Sequence, residues 1–384
     1  MKRLAIVTLF VATSVFARNI TVIGLGRLGL CTGLALERAG YNVLGVDIVQ
    51  TYVDTLNAKK FISTEPFVNE YLVSAERFRA TTNLDEGLDF SDVYFIVVDT
   101  PTGAREAYDH SKLSRLLSDI NKRRVSNKHV IITCTVFPGY INNVAKLLLK
   151  DCSNTSISYN PEFIAQGNII RGFEYPDMVL IGEGSIQAGD LLESIYKEIC
   201  KSKPEIKRMS PASAEITKLA VNCFITTKIA YANMIADIAD KTPEANKHDI
   251  LLAVGADSRI GLKCLQPGFG FGGPCFPRDN RALGSYAASI GIPPLIPIAT
   301  DESNRKHAHI MADELINKDQ EMYVFEDVNY KDQCPVVIIE ESQKLAVAEI
   351  IASQGHRVKI KDRSAVIEQV MQRYGNLFEY EIVA

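Results

Sequence analysis

Residues 20–47 read ITVIGLGRLGLCTGLALERAGYNVLGVD. An apolar run, ITVI, meets a glycine turn, an apolar stripe at spacings of three and four follows, and a second apolar run ends in Asp47. That order predicts strand, helix, strand, with the two strands parallel because a helical crossover joins them. Gly24, Gly26 and Gly29 stand at G-x-G-x-x-G spacing within GLGRLG. The first glycine suits a tight turn, the second lets a pyrophosphate approach the backbone, and the third lets helix and strand pack closely. Asp47 follows about twenty residues on, where a carboxylate accepts ribose hydroxyls and repels a 2′-phosphate. The stretch predicts an NAD-binding Rossmann domain that uses Gly24, Gly26, Arg27, Leu28, Gly29 and Asp47. A glycine turn without nucleotide is the other reading of the same spacing.

Outward from this unit the alternation continues through DVYFIVVDTPTG (92–103), SKLSRLLSDINKR (111–123), HVIITCTV (129–136) and SISYNPEF (156–163). Near-continuous apolar strands joined by helices predict a buried parallel sheet covered on both faces. From about residue 210 the period changes, and ASAEITKLAVNCFITTKIAYANMIADIADKT predicts a central helix of nearly thirty residues that offers a surface to a second chain. After Pro335, VVIIE, SQKLAVAEIIASQG and HRVKIKD read as a shorter strand, helix and strand. The predicted fold class is α/β: an N-terminal doubly wound Rossmann sheet over 18–205, a central helical dimerisation domain over 206–300, and a smaller C-terminal α/β domain over 301–384.

The 384 residues are 47% hydrophobic and 23% charged, with a net charge of −4. This is globular composition for two or three domains, without an electrostatic case for nucleic acid. The eight cysteines show no CxxC pair and no zinc spacing, so no metal site is expected. MKRLAIVTLFVATSVFA (1–17) has a basic start, an apolar run too short to span a bilayer, and small residues Val15 and Ala17. It reads either as a secretory signal or as an N-terminal extension.

Several segments pair reactive residue types with strand ends or helix faces. Thr100 lies in VVDTPTG, Thr135 in TCTVFPG and Glu162 in NPEF, where cofactor contact and ordinary turn or capping roles both fit. Lys218 and Asn222 are four apart on the long helix, so they share a face that suits an oxyanion or simply solvent. Cys275 sits in GFGFGGPCFPRD with Asp279 one helical turn on. The setting of cations and backbone N–H groups suggests a thiol placed to ionise, and a structural turn with a capping aspartate fits the spacing equally.

Taken together, FGGPCFPRD, NPEF, EITKLAVN and GLGRLG resemble the UDP-glucose/GDP-mannose dehydrogenase family, in the same order over about residues 19–330. The resemblance implies NAD-dependent, two-step, four-electron oxidation of UDP-glucose to UDP-glucuronate through a cysteine thiohemiacetal and thioester. It implies Cys275 as nucleophile, Asp279 and Thr135 for proton transfer, Lys218 and Asn222 at the oxyanion, and Glu162 in binding or thioester hydrolysis. Gly272 is implied in the substrate loop, and Arg259 in reaching the nucleotide sugar across a subunit interface, hence a homodimer or higher oligomer. Phe276 and the preceding FGG resemble the UDP-glucose branch, while Pro274 stands where the family usually has serine. VVIIE runs into ESQKL without the family's phenylalanine-lysine pair or arginine-serine element, so a shortened C-terminal domain is expected. GDP-mannose, a UDP-N-acetylhexosamine, or a non-catalytic NAD-binding descendant are the alternatives. An enzyme needing NAD and sugar nucleotides belongs in the cytosol, which favours the extension reading of 1–17.

Overall fold

The structure is a computed structural model describing residues 18–103 and 106–383, and the signal or extension assigned to 1–17 lies outside the described residues. Eight strands form the large sheet: β1 (Asn19–Ile23), β2 (Asn42–Val46), β3 (Phe78–Thr81), β4 (Val93–Ile96), β5 (His129–Ile132), β6 (Ser156–Tyr159), β7 (Met178–Gly182) and β8 (Glu205–Met209). Their order is β3-β2-β1-β4-β5-β6-β7-β8, with all pairs parallel except β6 with β7. The chain reverses its winding between β1 and β4, the switch point at which doubly wound sheets leave a crevice for ligands.

The sheet is apolar on both sides because helices cover both. Ile20, Val22, Val43 and Phe95 pack into one layer, and Ile23, Tyr94, Ile96 and Ile132 into the other. Alternate residues of one strand thus serve opposite faces, and near-continuous apolar runs result.

The long helix runs from Pro211 to Asp240, thirty residues, with Ser210 capping its first turn and proline at the first position. At 1.5 Å per residue it is roughly 45 Å long. By length and composition it is apolar enough to cross a membrane, yet Ala214, Leu219, Cys223, Thr226 and Ala230 are buried against the protein's own helices. It packs on the cysteine helix, Phe276–Ser289, and on the helix Leu295–Ile316.

The C-terminal α/β unit has β9 (Tyr323–Glu326), β10 (Val358–Asp362) and β11 (Glu379–Ile382), all parallel. Here one expectation is corrected, because VVIIE is not a strand. The edge beside β10 is taken by β9, and the 334–338 backbone is bonded elsewhere: Tyr330 N–H donates to Ile338 O at 2.9 Å, and Ile338 N–H to Asn329 Oδ1 at 2.9 Å. Cys334, Val336 and Ile338 still alternate inward, but into a small cluster with Tyr330. Burial alone fixed their period.

Candidate active site

The glycine turn after β1 separates into packing glycines and an open one. A Cβ on Gly24 (φ +91°) would lie 2.3 Å from Val97 O, and one on Gly29 would lie 1.9 Å from Gly24 O. A Cβ on Gly26, which caps the helix Arg27–Arg38, would meet nothing within 4 Å. Two glycines are therefore required by the fold and the third leaves backbone bare, the cradle a pyrophosphate needs. Asp47 is held beside the turn, its Oδ2 accepting from Leu25 N–H at 2.9 Å and its Oδ1 from Val49 N–H at 3.2 Å. Arg27 is exposed and bonds Gln166, while Leu28 is half-buried. The Thr100 hydroxyl donates to the Thr135 carbonyl at 2.7 Å, tying together the loops after β4 and β5.

Beyond this crevice the long helix and the cysteine helix converge. Lys218 and Asn222 are both buried, one above the other. Cys275 is half-buried at the N-cap of the cysteine helix, and Asp279 is buried in its first turn. Asn222 Nδ2 donates to Asp279 Oδ2 at 2.6 Å, so the carboxylate and the amide orient each other. Lys218 Nζ donates to the Glu162 backbone carbonyl at 2.7 Å and lies 4.7 Å from the Phe163 ring, which brings the NPEF loop to the same cleft.

Burial raises the Glu162 carboxyl to about 7, against opposing pulls from the Tyr196 hydroxyl and the Lys218 charge. The local hydrogen bonds agree. Asn160 Nδ2 donates to Leu180 O at 2.9 Å, which turns Asn160 Oδ1 toward the Tyr196 hydroxyl at 2.7 Å. The single Tyr196 proton is shared between Asn160 Oδ1 and Glu162, so the carboxylate receives only part of that donor's stabilisation.

The thiol differs from the sequence expectation. Burial pushes Cys275 above the ordinary thiol range, reinforced by Asp279 and Glu340, and the cations Arg278 and Lys218 only partly offset this. The shift favours the neutral thiol over the thiolate.

The C-terminal unit closes over the cysteine loop. A Cβ on Gly272 would come 2.1 Å from Glu341 O, and one on Gly273 (φ +81°) would strike the Tyr330 ring. Gly273 N–H donates to Glu340 O at 3.0 Å, and Arg281 grips both Glu341 carboxylate oxygens at 2.7 and 3.2 Å. Arg259 stands apart from this cluster, with a side chain 87% exposed and, among the described residues, paired only with Asp257.

Four buried or half-buried groups escaped the sequence reading. Tyr108 donates to Asp279 Oδ1. Tyr196 holds Glu162. Arg278 reaches the Thr100 carbonyl at 3.3 Å. Glu215 accepts from Gly139 and Ile141 N–H at 2.6 and 2.8 Å, which fixes the loop following Thr135. Glu215 belongs to the EITKLAVN segment, and a carboxylate on a helix's apolar face was the available signal.

The bare backbone at Gly26 with Asp47 beside it fits a dinucleotide, the mark of an NAD-dependent class of enzyme. The chain belongs to the UDP-glucose/GDP-mannose dehydrogenase family: residues 18–200 match its NAD-binding domain and residues 212–306 its central domain. It is an NAD-dependent nucleotide-sugar dehydrogenase. It is 31% identical over 300 residues to a UDP-glucose 6-dehydrogenase of Rickettsia bellii, covering 77% of this chain and 69% of that one. It is 29% identical over 366 residues to a GDP-mannose 6-dehydrogenase of Pseudomonas aeruginosa, covering 92% and 83%. The structure of a UDP-glucose dehydrogenase from the hyperthermophilic archaeon Pyrobaculum islandicum superposes with a TM-score of 0.85 at 26% identity, covering 96% of this chain and 87% of that one.

Proposed function

We propose that the protein oxidises UDP-glucose to UDP-glucuronate, with Cys275 carrying the sugar between two oxidations. The observation that carries this reading is the convergence of Cys275, Asp279, Asn222, Lys218 and Glu162 on one cleft beside the glycine cradle. NAD, held by the 24–29 turn and Asp47 with Thr100 and Thr135 at the rim, supplies a hydride acceptor for each oxidation. Lys218 and the free N–H of Asn222 stabilise negative charge on the C6 oxygen. The Cys275 sulfur adds to the aldehyde carbon while a proton passes to the oxygen, which prevents the aldehyde from escaping. Oxidation of that adduct leaves a thioester, and water then cleaves the carbon–sulfur bond, releasing the carboxylate and returning the thiol. A carboxyl titrating near 7, as at Glu162, is suited to accept the proton of that water.

GDP-mannose is the second reading, favoured by the longer match to the Pseudomonas relative. Assembly belongs to the proposal as well. Phe224, Tyr231, Met234 and Ile238 form an exposed apolar stripe along the long helix, suited to a second copy that would bring Arg259 to the neighbouring cleft. The chemistry places the protein in the cytosol.

The test is turnover of the purified full chain with NAD and a panel of UDP-glucose, GDP-mannose and UDP-N-acetylhexosamines. UDP-glucose is expected to reduce two NAD per sugar and Cys275→Ala to stop turnover. Full activity in Cys275→Ala overturns the covalent route, and preference for another sugar overturns the substrate.

A further inference from the structure

Asp279 is 1% exposed and both of its carboxylate oxygens are engaged. Asn222 donates to Oδ2, and the hydroxyl of Tyr108, from a loop 171 residues earlier, donates to Oδ1, each at 2.6 Å. Tyr108 is itself buried, pinned by a backbone bridge to Thr102 and by the Arg278 guanidinium 5.2 Å from its ring. Arg278 Nε lies 3.6 Å from the same Oδ1, too far for a hydrogen bond, and is buried with no partner among the described residues. The carboxylate thus stands between a phenol that holds it and a half-buried cation whose Nε has no partner among the described residues. Release by the phenol would let it swing onto Arg278.

That swing would matter because of what hangs on the other oxygen. A carboxylate only accepts, so the bond at Oδ2 fixes the Asn222 amide with its nitrogen toward Asp279 and leaves one N–H free. Removing the anchor frees the amide to rotate, and an oxyanion donor that rotates loses its preorganisation. We propose that Tyr108 is a positioning residue for the oxidation: its hydroxyl locks Asp279 away from Arg278, and Asp279 in turn aims the Asn222 N–H at the reacting oxygen. This rests on the dehydrogenase reading above. It adds a member from the loop after β4, an element that the sequence motifs of the cysteine and of the long helix do not include.

Tyr108→Phe keeps the ring beneath Arg278 and removes only the hydroxyl, so thermal unfolding checks folding separately. The expected result is a kcat reduced about tenfold or more with KM for the nucleotide sugar changed less than about twofold, the signature of an interaction that matters in the transition state. In a cycle with Asp279→Asn, the double variant should fall no further than Asp279→Asn alone, because Tyr108 acts through that carboxylate. Multiplying effects, or a Tyr108→Phe kcat within about twofold of wild type, overturn the proposal. Absence of turnover in the wild type with every sugar of the panel instead sinks the functional reading and takes this inference with it. The two failures are therefore told apart by the wild-type lane.

Discussion

Glu162→Gln should stabilise the protein at alkaline pH and leave it nearly unchanged in mild acid. The carboxyl titrates at about 7 in the folded chain against an ordinary 4.5, with burial as the main cause. At 1.36 kcal/mol per pKa unit, charging it in the folded state costs about 3 kcal/mol more than in the unfolded chain. Solvent reaching this half-buried side chain reduces that to roughly 2 kcal/mol. The sign follows from a raised folded value: the bound proton's stabilisation is complete below the unfolded value of 4.5 and is lost as pH rises through 7. Glutamine removes the titration and can donate from its amide to the Tyr196 oxygen, replacing the bond a protonated Glu162 makes. Thermal unfolding at about pH 5 and about pH 8.5 should show near-equal midpoints in the first case and a variant higher by about 2.5 °C in the second. An offset between variant and wild type that is the same at both pH values would refute the raised carboxyl and, with it, Glu162 as a base poised near neutrality.

The two kinds of glycine in the cofactor turn should respond differently. Gly26→Ala meets open space, so unfolding should be unchanged while NAD affinity measured by calorimetry falls by about tenfold or more. Gly29→Ala forces a Cβ to 1.9 Å from Gly24 O, so both stability and NAD binding should fall. Equal behaviour of the two variants would contradict this division. Phe224→Asp places a charge at a residue 67% exposed on the apolar stripe and should shift the mass measured by light scattering toward the monomer, an unchanged mass contradicting the proposed contact between copies.

Much of this site was legible because its spacing is local. The 24–29 turn, Lys218 with Asn222, and Cys275 with Asp279 are each set by one turn or one helical repeat, which the chain writes in consecutive residues. Tyr108, Tyr196 and Glu215 act through contacts 171, 34 and about 75 positions away, and no periodicity marks them. The protonation of Cys275 was misread for a related reason. The cations beside it are visible in sequence, whereas burial, the larger influence, arises only on folding. VVIIE shows the converse limit: apolar alternation reports which side chains turn inward but not whether the backbone bonds to a neighbouring strand.

The long helix explains how a mobile-looking glycine loop holds the proposed nucleophile in place. Its first half carries Lys218 and Asn222, and its second half carries Asn233 and Asp237. Asn233 Oδ1 accepts from Gly268 N–H at 3.0 Å, while Asp237 holds His307 at 3.0 Å and His307 Nε2 donates to Gly268 O at 2.8 Å. From the neighbouring helix, Asn304 bonds both N–H and carbonyl of Phe271 at 2.9 Å. Four backbone atoms of the GFGF segment are therefore tied to two packed helices, one of which bears the proposed oxyanion donors. Asn222 and Asn233 are eleven residues apart, about 16 Å along a helix axis. One rigid rod thus sets both the start of the cysteine loop and the positions of Lys218 and Asn222. The glycines supply the backbone shape that lets the C-terminal unit approach, and buried amides with one histidine supply the rigidity that glycine cannot.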